Sequence, residues 1–131
     1  MNSLFHLTEG AWQEHKLSLS DVRCQVFVVE LQIPEALELD EYDPHCHHVL
    51  VSDVHGRPVG AGRIKADGHI GRMAVLKDCR GQGVGAAMLA ALLEHAREQG
   101  HARVFLHAQI SAVPFYTRFG FVESGEPFID A

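Results

Sequence analysis

No apolar run in this chain approaches the roughly 18–20 residues that cross a membrane as a helix. The opening residues, 1–10, lack a basic stretch followed by an apolar one, so no export signal is expected. Cysteine is scarce: Cys24, Cys46 and Cys79 are odd in number and form no C-x-x-C pair. That argues against a disulfide framework and for reduced thiols in a cytoplasmic protein. Basic charge is also short, with 11 Lys and Arg against 17 Asp and Glu and a formal net charge of −6. A generic grip on nucleic acid or anionic lipid needs a basic face, so neither nucleic acid nor membrane is an expected partner. No internal repeat, low-complexity tract or Gly/Ser/Pro linker divides the 131 residues, and a single domain over 1–131 is expected. Apolar residues make up 47% and charged residues 21%, ordinary globular usage that excludes wholesale disorder.

What is present reads as alternating elements. Ser18 or Ser20 with Asp21 offers an N-cap, predicting a helix over about residues 22–30. Its run Val26-Phe27-Val28-Val29 fits a strand equally well. Five acids between Pro34 and Pro44 (Glu35, Glu38, Asp40, Glu41 and Asp43) predict a loop with one helical turn. Three strand-like runs follow at 48–53, 58–65 and 69–76. The turn signals His55-Gly56 and Asp67-Gly68 separate them into an antiparallel meander. Pro58 belongs at a strand start, where its missing N–H does no harm. A helix then carries Val84, Met88 and Leu92 on one stripe, with Leu89, Leu93 and Ala96 beside it; Gly100 is its C′ stop. Residues 101–109 hold a strand around Val104-Phe105-Leu106. Ser111 can cap a short helix through Arg118, closed by Gly120, and residues 121–131 could pair as a last hairpin. The expected fold is α/β or α+β, a mixed and mostly antiparallel central sheet flanked by helices.

The segment Arg80-Gly81-Gln82-Gly83-Val84-Gly85 carries the chemistry. Glycines at 81, 83 and 85 let backbone approach a ligand, and a helix N-terminus aims unpaired N–H groups outward, making an anion cradle. Arg80 and Lys77 add positive charge. With Ala86 the segment also fits G-x-G-x-x-A, the dinucleotide fingerprint. That pattern should follow the first strand of a βαβ unit, and here a hairpin array precedes it. No G-K-[ST] follows the glycines, so a P-loop is excluded as well.

This segment resembles the R/Q-x-x-G-x-G/A signature of the GNAT superfamily of N-acetyltransferases. Ile70-Gly71-Arg72-Met73-Ala74-Val75 is similar to that family's strand before the loop. Ala112-Val113-Pro114-Phe115-Tyr116-Thr117-Arg118-Phe119-Gly120-Phe121 is similar to its A-x-x-F-Y-x-x-x-G-F segment. Val26-Phe27-Val28-Val29-Glu30, with Asp40, Asp43 and His48-Val49-Leu50, resembles a bacterial subgroup. The resemblance implies the GNAT fold and acetyl-CoA as acyl donor, with no metal. It implies transfer of an acetyl group to a primary amine of a small molecule or peptide by direct attack on the thioester. Backbone N–H groups of Gly81, Gln82, Gly83, Val84 and Gly85 would hold the pyrophosphate, flanked by Arg80, with Ala86 and Gln109 among the cofactor contacts. The backbone of Met73, Ala74 and Val75 would pair with the pantetheine arm, Val75 N–H serving as oxyanion donor, a group typically worth about 3–4 kcal/mol.

Tyr116 would be both cofactor contact and general acid, since a phenol of pKa about 10 is protonated at neutral pH. A lysine-like amine lies about 3.4 units from neutral at pH 7, a penalty of about 4.6 kcal/mol. His107, Glu30 and Asp40 are the candidate bases, each with an ordinary structural role as the alternative. Two departures from the family stand out. Gly71 occupies the place where many members carry a glutamate base, and the chain ends at residues 128–131 where related domains continue briefly. The missing glutamate motivates an alternative, a non-catalytic acyl-CoA-binding module, and the glycine pattern a third, an NAD-type binder. The four residues His45-Cys46-His47-His48 enter a strand, so alternate side chains diverge and cannot all ligate one metal. Cys79 abuts the cradle without an assigned base partner. The acids at 35–43 form either a solvated loop or a rim attracting a cationic amine. An exposed strand in the terminal hairpin could pair a homodimer.

Overall fold

A computed structural model describes residues 3–35 and 40–124. Five strands lie in one sheet in sequence order: β1 (Phe5–Ala11), β2 (His47–Asp53), β3 (Pro58–Ile64), β4 (His69–Val75) and β5 (Phe105–Leu106). All neighbours are antiparallel except β4 and β5, which run parallel. The described residues also hold three α-helices, α1 (Trp12–Arg23), α2 (Val84–Glu98) and α3 (Val113–Thr117), besides shorter helical turns. The expected mixed sheet flanked by helices is present, and the three meander strands fall within a residue of their predicted bounds.

Alternation along β3 decides which helix covers which face. A Cβ on Gly60 would lie 2.9 Å from Val84 Cγ1, and one on Gly62 would lie 3.4 Å from Leu92 Cδ1, so α2 rests directly on that face. The stripe read from the sequence is the buried one: Val84, Met88, Leu89, Leu92 and Ala96 are all core residues. Arg63, of opposite parity, points to the other face and meets the Asp43 carboxylate that Arg23 of α1 also holds. As predicted, α2 stops at Gly100: Gly100 N–H donates to Arg97 O (3.1 Å) and His101 N–H to Ala96 O (3.0 Å).

Several elements depart from the sequence reading. The first helix starts at Trp12, ten residues before the predicted Val22, with Glu14 accepting the Ala11 N–H at its mouth (3.3 Å). It has no clean apolar stripe: its buried residues are Leu19, Val22 and Arg23, while Leu17 is 82% exposed. Beyond Arg23 it widens into a π-helical stretch, Cys24–Glu30, so Val26-Phe27-Val28-Val29 is helical rather than extended. Strand β1 was not anticipated. Ser111 is no cap: it lies inside the 3-10 turn Ile110–Ala112, and α3 starts from Ala112 without a side-chain cap. Glu38 and the hairpin expected at 121–131, with the dimer edge it would offer, lie wholly or largely outside the described residues.

One irregularity positions the site. The β3–β4 register passes from Ala61↔Ala74 to Arg63↔Gly71, so Arg72 and Met73 together oppose Gly62. Arg72 takes φ +50° in this bulge. Strand β5 pairs only with His69 and Ile70, before the bulge. Past it, among the described residues, β4 has no strand on its outer side.

Candidate active site

Strand geometry aims one residue's backbone at that open side. Leu76 N–H donates to Val59 O of β3 (2.9 Å), so the N–H and C=O of Val75 point the other way, into the gap. Arg80 confirms the direction, its Nε donating to Val75 O at 2.9 Å. Ala74 is buried, whereas Met73 and Val75 are partly open.

The chain then makes a 3-10 turn, Lys77–Cys79, and enters the glycine segment. Gly81 and Gly83 both need the left-handed region, at φ +76° and +83°. Gly83 is the N-cap of α2 and no side chain caps the helix, so the first-turn N–H groups of Val84, Gly85 and Ala86 face outward with the positive end of the helix dipole. Gly81, Gln82 and Gly83 are exposed, and a Cβ on Gly81 would meet nothing within 4 Å. The turn is therefore open and fits a diphosphate. Gly85 is where the parts converge. A Cβ there would lie 3.6 Å from Phe115 Cζ and 3.9 Å from Val75 Cγ2, joining the cradle, the end of β4 and the helix that carries Tyr116.

Tyr116 is half-buried, edge-on to Phe115 (5.0 Å) and Phe121 (5.9 Å). Burial pushes its phenol above the usual value, which keeps the proton on. Glu30, at the end of the π-helical stretch, forks onto the Arg80 guanidinium across 50 residues of sequence (2.8 Å for one of the two bonds). The Arg80 hydrogen bond, against a smaller desolvation effect, holds its carboxyl below the usual range. His107 is exposed, one residue past the Ile70–Leu106 pair, its ring edge-on to His69 at 5.0 Å. At about 3.3 Å per residue this is roughly 13 Å along β4 from Val75. Gln109 is exposed and caps the 3-10 turn before α3. The fold thus brings Val75, Arg80, Glu30 and the glycine turn together, and leaves His107 at the far end of the strand.

Two of the acids expected in a loop or rim, Asp40 and Asp43, have arginine partners instead. Asp43 accepts two bonds from Arg23 (2.8 and 3.0 Å) and one from Arg63 (2.8 Å), with both partners buried. Asp40 accepts two from Arg63 (2.8 and 2.6 Å) and one from Arg72 (3.2 Å). Burial opposes ionisation of Asp40, but Arg63 and Arg72 outweigh it and bring its pKa down to about 2. Sequence reasoning missed this network because its members stand 20–32 residues apart. An arginine in the core strand β3 was the one available signal.

The His45–His48 run divides as strand alternation requires. His47 meets Glu9 Oε1 (2.9 Å) and stacks on His95 (3.6 Å between centroids), while His48 meets the Asp43 carbonyl (2.9 Å) on the other face. Burial raises the Cys79 thiol pKa, with Asp78 adding to it, which makes the thiol a poor nucleophile. Among the described residues no helix is long and apolar enough to cross a membrane.

Residues 16–131 match the family described as Acetyltransferase (GNAT) domain. The uncharacterized N-acetyltransferase YjcF of Bacillus subtilis is 40% identical over 114 residues, covering 84% of this chain and 81% of the relative. Among solved structures, Escherichia coli ElaA superposes with a TM-score of 0.86 at 27% identity, covering 97% of this chain and 93% of its own. An acyl-CoA N-acyltransferase from Pseudomonas aeruginosa gives 0.83 at 27% identity, covering 95% and 93%. On these matches the chain belongs to the GNAT acetyltransferase family.

Proposed function

We propose that the protein transfers an acetyl group from acetyl-CoA to a primary amine of a small molecule or peptide. The observation that carries this reading is the convergence at Gly85, which sets the glycine turn, the outward-facing backbone of Val75 and the helix of Tyr116 against one another. Acetyl-CoA would supply a thioester, an activated acyl group on a sulfur leaving group. Gly81, Gln82, Gly83, Val84, Gly85 and Ala86 would hold its diphosphate, and Met73, Ala74 and Val75 would align the peptide-like arm. Val75 N–H donates to the oxygen that gains charge as the amine attacks. Tyr116 delivers a proton to the departing sulfur.

Neither carboxylate among the candidate bases is a strong base. Asp40 and Glu30 are both held by arginines, and a carboxylate whose pKa is lowered takes a proton poorly. This supports for Glu30 the role of orienting Arg80, and leaves His107 able to act only through intervening water. The acceptor is then an amine that loses its own proton near neutrality. Rate should follow the fraction of free amine, with log kcat/KM rising about one unit per pH unit up to the acceptor's pKa. The test is thiol release across a panel of amines of graded pKa. A profile that bends near pH 7 for every acceptor would reveal an enzyme base instead. Tight CoA binding with no thiol release from any amine would favour the non-catalytic acyl-CoA-binding module.

A further inference from the structure

We propose that Asp40 and Arg63 are positioning residues that hold the β4 bulge, and with it the β4–β5 gap, through the side chain of Arg72. The inference rests on the assignment of that gap to acetyl-CoA. In a regular ladder Arg72 would oppose Gly62 and share its face, the face covered by α2. Instead Met73 occupies that face, its Sδ 2.6 Å from where a Gly62 Cβ would be. Arg72 reaches Asp40, which forks onto Arg63 on the opposite face. The Arg72–Asp40 contact therefore exists only when the strand is bulged. A contact made in one of two states shifts the balance toward that state.

Holding is needed because Arg72 is not glycine. At φ +50° its Cβ crowds the following carbonyl oxygen, and an unassisted side chain favours the extended backbone. The anchor is firm on the other side. Arg63 is 3% exposed, stands directly across the ladder from Gly71, and shares Asp43 with the buried Arg23. The ring Arg63–Asp40–Arg72 thus closes across two hydrogen-bonded strands at the point where β4 parts from β5. Without it β4 would straighten toward β5, and the backbone of Val75 would turn out of the gap.

The test compares Arg72→Gly with Arg72→Ala by calorimetric titration with CoA. Both remove the guanidinium. Only glycine also removes the resistance to a left-handed backbone. The glycine variant should bind CoA about tenfold more tightly than the alanine variant, equivalent to 1.4 kcal/mol and the size of the left-handed penalty. This reverses the usual order in strands, where alanine is preferred. Asp40→Asn should weaken CoA binding about tenfold, and adding Arg72→Gly should recover most of that loss. A purely structural role would order the melting temperatures but leave the CoA affinities of folded Ala and Gly variants equal. Equal affinities, with wild type binding tightly, would overturn the tether alone. Failure of wild type to bind CoA would overturn the tether together with the functional reading beneath it.

Discussion

Replacing Tyr116 by phenylalanine removes one oxygen from a ring cluster and leaves its packing in place. The ring meets Phe115 at 5.0 Å and Phe121 at 5.9 Å through its edges and face, contacts that phenylalanine keeps. The hydroxyl makes no hydrogen bond among the described residues, so no partner is orphaned by its loss. Stability should change by no more than about 0.5 kcal/mol, or about 2 °C in Tm for a domain of this size. Catalysis should change far more. A positioned general acid contributes roughly 10²–10⁴ in rate, which is about 2.7–5.4 kcal/mol of barrier. Because burial raises the phenol pKa from 10.0, the proton is in place throughout the neutral range, and the loss should be equally large at about pH 6.5 and 8.5. Steady-state thiol release should therefore show kcat down at least about a hundredfold, with KM for acetyl-CoA and Tm little moved. A kcat within about threefold of wild type, or a defect confined to KM, would refute the assignment of Tyr116.

Gly81→Ala adds no clash, since nothing lies within 4 Å of the new Cβ, but forces alanine to φ +76°. It should lower stability by about 1 kcal/mol, and Gly81→Asn should lower it less because asparagine tolerates that region. Thermal melts of the two variants check the order. Gly60→Ala would press a methyl to 2.9 Å from Val84 Cγ1 and 3.0 Å from Met88 Sδ, lifting α2 from the sheet. Urea unfolding should show a loss of about 1–3 kcal/mol with an unchanged m-value. Asp40, with its pKa lowered from 3.8 to about 2, adds stability that is complete above about pH 4 and disappears as pH falls through 2. The effect is about 1–2 kcal/mol with allowance for solvent screening. Stability measured from pH 5 down to 2 should fall less steeply in Asp40→Asn than in wild type.

The elements legible in the sequence were those whose signal is local. β2, β3 and β4 alternate between explicit turn residues, and α2 carries Val84, Met88 and Leu92 at helical spacing before Gly100. The glycine turn was legible because its residue types are a direct consequence of backbone geometry at φ +76° and +83°. The first helix was half hidden. Its inward face includes Arg23, stacked 5.4 Å from the Trp12 ring, and its outward face includes Leu17, so hydrophobicity misreports its orientation. The network around Asp40 and Asp43 left no local trace, since a carboxylate in an acidic loop looks alike whether it meets water or a buried arginine twenty residues away. The bulge at Arg72 was equally silent, because the carboxylate its side chain meets, Asp40, stands 32 residues away in a loop.

The wide helical stretch Cys24–Glu30, with Leu31 N–H bonded to Val26 O at 2.9 Å, has a bearing on insertions and deletions. A widened turn contains a spare residue relative to the tighter winding before it. It is therefore a place where the chain can lose one amino acid and simply rewind. Because rewinding takes up the loss, the side chains that follow keep their faces, and a glutamate in the place of Glu30 would still meet Arg80. What sits on that guanidinium is thus governed by residue identity rather than by the exact length of this stretch. Deleting one residue within 24–29 should therefore leave the glutamate on Arg80, at the same point of the surface.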